Sequence, residues 1–107
     1  EIQPESAGIL SNDSQIPFSL HGNYPNPFNG ETIISYAIPK DGFVNISIFN
    51  VAGQFIVNLV NDYQLHGEKK VFWNTKDETG NDVPSGIYYY VVSNGKYKEA
   101  RTMTLLK

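Results

Sequence analysis

Cysteine is absent from the 107 residues, which excludes disulfides, thiolate zinc sites, iron–sulfur clusters and thiol nucleophiles in any redox compartment. Histidine is scarce. His21 and His66 are the only side chains suited to base chemistry near neutral pH, and each stands beside a glycine at the edge of a strand-like run, where solvent exposure is the simpler reading. No G-x-S-x-G, H-E-x-x-H or G-x-x-x-x-G-K-[ST] run occurs, so hydrolase, metalloprotease and nucleotide-binding readings lose their usual anchors. No apolar run approaches the ~20 residues of a membrane helix. Eight basic and eleven acidic residues, a net charge of −3, are spread without long runs of one sign. That disfavours nucleic acid as a partner, and attraction to an anionic membrane as well. Nothing implies a cofactor or an enzyme.

Helix formers are also few, with Ala, Leu and Met numbering 11 together. Val, Ile, Thr and the aromatic residues number 37 and suit a pleated, half-buried surface. Eleven Asn, 9 Gly and 6 Pro punctuate them, which predicts many short strands joined by turns. The length suits one domain with a core large enough to need no staples.

Along the chain, residues 1–15 show neither a strand nor a helix period and read as a linker to an upstream domain. Glu1 stands where a complete chain would have Met, so a C-terminal piece of a larger protein is expected. A first strand is predicted over residues 16–21, with Ile16, Phe18 and Leu20 on one face. A rigid Pro-rich connection follows over residues 22–30. Further strands are predicted over residues 32–38 and 43–50, then from Phe55 with Val57 and Leu59 inward and a stop before Asn61. Residues 68–74 form another, with Val71 and Trp73 on one side and Trp73 in the core. Residues 87–93 are apolar on both faces, the mark of a strand in mid-sheet. Asn94-Gly95 signals a hairpin to a last strand over residues 96–106. Seven strands without helical spacing predict an all-β, seven-stranded, immunoglobulin-like antiparallel sandwich. Gly86 two residues before Tyr88 resembles a tyrosine corner, in which the phenol bonds upstream backbone, and an aromatic merely half-buried on a strand is an equal alternative.

Two ligand readings arise from the residues. Asp77, Asn81 and Asp82 crowd oxygen-bearing side chains around Gly80, which invites a calcium site. The same residue types favour plain turns, because their side chains bond nearby backbone. Tyr24, Phe28, Tyr63 and Tyr97 fall in or near connections and invite a sugar-binding face, although so many aromatic residues must mostly fill a core.

The motif residues resemble those of the type IX (Por) secretion system C-terminal sorting domains, type A, of Bacteroidetes. Asn23-Tyr24-Pro25-Asn26-Pro27-Phe28-Asn29 is similar to the N-x-P-N-P-F-N opening of that family. Residues 44–53, closing at Asn50-Val51-Ala52-Gly53, resemble its next strand and D/N-x-x-G turn. Gly67, Trp73, Asp77 and Gly80 fall as in its G-x-x-x-x-x-W…D-x-x-G-N segment. Val83-Pro84-Ser85-Gly86-Ile87-Tyr88-Tyr89-Tyr90 is similar to its V-x-S-G-x-Y-x-Y. Residues 101–107 look like its terminal strand, ending in Lys107. Gly30 and Val92-Ser93 depart from the pattern. The flagellar hook-assembly protein carries a related sandwich.

This resemblance implies a non-enzymatic sorting module over residues 16–107, secreted through the periplasm to the surface of a Gram-negative bacterium. Its implied partners are an outer-membrane translocon, a sortase-like surface peptidase and the upstream cargo domain. Residues 1–15 would hold or adjoin the cleavage region, and the terminal strand, as a sheet edge, would carry recognition through Lys98, Arg101, Met103, Leu105, Leu106 and Lys107. The alternative is a structural or carbohydrate-binding immunoglobulin-like accessory module of an extracellular enzyme.

Overall fold

A computed structural model of the chain describes residues 18–107. The expected linker and the Ile16-Pro17 start of the first strand lie outside the described residues. The strands are β1 (Ser19–Tyr24), β2 (Thr32–Ile38), β3 (Gly42–Asn50), β4 (Phe55–Gln64), β5 (Gly67–Trp73), β6 (Gly86–Asn94) and β7 (Tyr97–Leu105). They pair antiparallel in a three-stranded sheet of order β1-β2-β5 and a four-stranded sheet of order β4-β3-β6-β7. The two sheets face each other as the expected all-β sandwich.

Period-two patterning decides which faces meet. Ile34, Tyr36 and Ile38 of β2 and Val44, Ile46 and Ile48 of β3 point inward, none more than 2% exposed. Each such side chain contributes about 1.5–3 kcal/mol by leaving water. Trp73 lies between the sheets at 1% exposure, as expected. β6 sits between β3 and β7, but only its Tyr88, Tyr90 and Val92 face is buried. A mid-sheet position buries a strand's backbone, and here the outer face keeps Ile87 and Tyr89 in solvent.

Three boundaries differ from the sequence expectation. β1 continues through Asn23 and Tyr24, which the prolines had suggested were loop. A bulge between Leu20 and Gly22, with Gly22 at φ 115°, resets the register so that the strand can continue. β4 runs on to Gln64. Val57 keeps its expected inward side opposite Ile48, and Val57 and Leu59 pack half-buried against the core, but the strand changes face around them. Its register shifts opposite Ile46/Ser47 and Ile48/Phe49, so Val60 is buried while Phe55 is 45% exposed. Asn58 stitches the first shift, its Nδ2 donating to the Ile46 and Val60 carbonyls at 3.2 and 3.1 Å. The last hairpin turns on Gly95-Lys96, one residue later than expected. Asn94 pairs with Tyr97, and Gly95 takes the positive φ of 63° that suits the first central position of a II′ turn.

β1 and β7 start at the same end of the sandwich, where Phe18 stacks on Tyr97 with ring centroids 4.6 Å apart. Both finish at the opposite end, with the Pro-rich connection after β1 and the 74–85 connection.

Candidate functional site: a clasped terminal strand

β7 is an edge strand, but its far end is already occupied. The Pro-rich connection crosses it and forms an isolated parallel bridge between Phe28 and Leu105. Phe28 N–H donates to the Thr104 carbonyl at 3.0 Å, and Leu106 N–H donates to the Phe28 carbonyl at 2.8 Å. Asn26 Oδ1 accepts from Thr104 N–H at 3.0 Å, and Asn29 Nδ2 donates to the Leu106 carbonyl at 2.9 Å. Lys107 N–H donates to Ser85 Oγ at 2.9 Å. The connection is itself braced. Asn23 Nδ2 donates to Thr32 Oγ1 at 3.1 Å, and Thr32 Oγ1 donates to the Pro25 carbonyl at 2.8 Å.

An aromatic stack backs this clasp. Phe28, 3% exposed, lies 5.9 Å from Trp73, and Trp73 meets Tyr88 edge-on at 5.3 Å. Trp73 Nε1–H donates to the Lys76 carbonyl at 3.0 Å, and Tyr88 Oη donates to the Pro84 carbonyl at 2.6 Å. The second bond is the tyrosine corner. Burial pushes the Tyr88 phenol above its ordinary pKa. The motif residues Asn23, Pro25, Asn26, Pro27, Phe28, Trp73, Gly86 and Tyr88 therefore gather at one end of the molecule around the last residues of β7. Gly53 and Gly67 serve turns elsewhere, and Gly53 N–H donates to the Asn50 carbonyl at 2.9 Å.

The residues expected to carry recognition divide. Met103 and Leu105 are 1% and 0% exposed, so their side chains belong to the core and not to an accessible row. Arg101 also turns inward along the strand, its Nε donating to Glu99 Oε2 at 2.8 Å. Tyr97 Oη donates to the same carboxylate, and these two bonds hold Glu99 below the usual carboxylate range. Burial, and then Glu99, push the Tyr97 phenol up to about 12. Lys98, Leu106 and Lys107 are exposed. Because Thr104 directs its N–H and C=O away from β6, strand alternation directs those of Thr102, Ala100 and Lys98 the same way. Those groups have no hydrogen-bond partner among the described residues. The free edge is thus the lower two-thirds of β7, and sequence reasoning missed Ala100 and Thr102 because neither side chain carries charge or bulk.

The acidic connection uses its oxygens on itself. Asp77 Oδ1 accepts from the N–H groups of Thr79 and Asn81 at 2.9 and 3.0 Å and from Thr79 Oγ1 at 2.7 Å. These bonds, that of Thr79 Oγ1 foremost, hold its carboxyl below the usual range. Asp82 pairs with Lys76 Nζ at 2.6 Å, which lowers its pKa likewise. Among the described residues no group of three or more His, Cys, Asp or Glu side chains is placed to hold a metal ion.

The four aromatics expected near connections form no common platform. Phe28 is in the core and Tyr97 stacks on Phe18. Tyr24 and Tyr63, 80% and 67% exposed, belong to different sheets. The histidines are apart as well, His21 paired with Glu68 at 3.0 Å and His66 with Asp41 at 2.9 Å.

Among solved structures, the chain is similar to the dimeric latent PorU from Porphyromonas gingivalis, with TM-score 0.67 and 17% identity over 83% of this chain and 9% of PorU. It is similar to PorZ, described as an essential surface component of the type IX secretion system of the same bacterium, with TM-score 0.57 and 19% identity over 82% of this chain and 11% of PorZ. A third likeness is to the DNA glycosylase AlkC of Pseudomonas fluorescens, with TM-score 0.52 and 15% identity over 84% of this chain and 30% of AlkC. At these identities the likenesses show a shared fold, and the chain spans a small part of each neighbour. No curated protein matches the sequence. A family profile, the secretion system C-terminal sorting domain, matches residues 23–105, the span from the first clasp asparagine to the end of β7. The chain therefore belongs to the C-terminal sorting domains of the type IX secretion system.

Proposed function

We propose that the chain is a non-enzymatic signal that directs a secreted parent protein through the type IX system, across the outer membrane and on to attachment at the cell surface. In this reading residues 16–107 are the sorting module and residues 1–15 link it to the cargo and hold or adjoin the cleavage region. The partners are the outer-membrane translocon, which reads the module after the parent crosses the periplasm, and a sortase-like surface peptidase, which removes it. The observation that carries the reading is the clasp. Motif residues distant in sequence converge on the end of β7 and leave a short strand edge unpaired among the described residues, and an unpaired edge accepts a partner strand through backbone bonds alone. Recognition that relies on backbone tolerates wide variation in side chains. Position adds support: cargo would enter beside Phe18, at the opposite end from the clasp.

The test is export of a reporter that carries the 107 residues at its C-terminus in a bacterium with a type IX system. Surface delivery is expected, with retention of the reporter in the periplasm when the module is left off. Equal delivery of both would overturn the reading.

A further inference from the structure

The outer face of the four-stranded sheet carries almost no charge. Its side chains run in registered rows across β4, β3, β6 and β7, and Lys98 is the one charged residue in those rows. The middle of the face is polar and already ordered. Asn58 Nδ2 donates to Ser47 Oγ, Ser47 Oγ donates to Asn45 Oδ1, and Asn45 Nδ2 donates to Asn61 Oδ1, each at 3.0 Å.

Exposed rings stand at both ends of this belt. Phe43 and Tyr63 face each other at one end, 52% and 67% exposed. At the other, Tyr89 and Phe55 flank Phe49 in a single row, and the Phe49 and Phe55 rings meet edge-on at 5.9 Å. Phe43 and Phe49 lie about 20 Å apart along β3 at ~3.3 Å per residue, the reach of an oligosaccharide and not of a single sugar.

This distribution inverts that of a protein interface, whose centre is apolar and whose rim is polar. Near-neutrality gives nothing with which to compensate the charge of a phosphate-rich, acidic or basic partner. A neutral polysaccharide matches both features, since its hydroxyls pair with fixed amides and its C–H faces stack on rings. We propose that this face binds an extended neutral polysaccharide laid along β3 from Phe43 to Phe49. The site is on other residues than the expected sugar platform, with Tyr63 alone in common, and it is independent of the sorting reading.

Native affinity electrophoresis of the 107-residue chain in gels holding soluble β-glucan, xylan or mannan tests it, with polygalacturonate as the charged control. At least one neutral polymer retards the chain and polygalacturonate does not. Tyr63→Ala and Tyr89→Ala each weaken retardation about tenfold with melting temperature unchanged for the exposed Tyr63 variant. Phe72→Ala, on the outer face of the other sheet and 60% exposed, leaves it unchanged. No retardation by any neutral polymer, retardation by polygalacturonate alone, or an equal loss from Phe72→Ala overturns the proposal.

Discussion

At the scale of single residues, Tyr88 shows how a short bond anchors a long connection. Its ring packs on Trp73 and its hydroxyl holds the Pro84 carbonyl, so the chain leaving the 74–85 connection enters β6 at a fixed angle. Tyr88→Phe keeps the ring and leaves that carbonyl without its donor. A loss of about 1–2 kcal/mol is expected, read as a lower urea midpoint with unchanged slope; an unchanged midpoint would mean that the corner does not anchor the connection. This feature is legible in sequence because the tyrosine, its glycine and its acceptor are close neighbours in the chain. The inward turn of Arg101 is not legible, since it follows from the bond to Glu99 and from packing beside Gly22 of another strand, where the position a Cβ would take lies 3.5 Å from an Arg101 guanidinium nitrogen. Nor is the burial of Phe28, which its neighbouring prolines and asparagines disguise as a surface position.

At the scale of elements, the clasp joins the start of the module to its end. Asn26→Ala removes the acceptor that holds Thr104 N–H and leaves the β6–β7 ladder intact. The expected result is a stability loss near 1 kcal/mol and faster hydrogen exchange at the Thr104 amide, with the Met103 amide unchanged because it faces β6. Equal acceleration at both would show that the clasp holds the whole strand and not its outer edge. Strand count and most strand centres are readable from period-two patterning, as in β2 and β3. The course of β4 is not, because register shifts move its buried position from Leu59 to Val60 without any proline or glycine to announce them. The calcium reading of Asp77, Asn81 and Asp82 illustrates a different limit: residue types that ligate cations also close turns, and only hydrogen-bond geometry tells which use the chain makes of them.

At the scale of the molecule, the sandwich has two distinct ends and an edge between them. In the proposed reading the cargo joins at the end beside Phe18 and Tyr97; the clasp at the other end hides the last residues of β7, and the exposed backbone of Lys98, Ala100 and Thr102 lies between. Deleting residues 101–107 is therefore a poor probe of recognition, because it removes Met103 and Leu105 from the core together with both clasp carbonyls. A change confined to the free edge is cleaner. Ala100 directs its N–H to solvent, a position where proline is tolerated in an edge strand while a guest strand loses a donor and meets the ring. The most direct measurement of the central claim is surface delivery of the reporter fusion carrying Ala100→Pro, alongside its melting temperature. A folded module that no longer reaches the surface is the result predicted, whereas a folded module delivered as well as the unaltered chain would contradict recognition through the edge of β7.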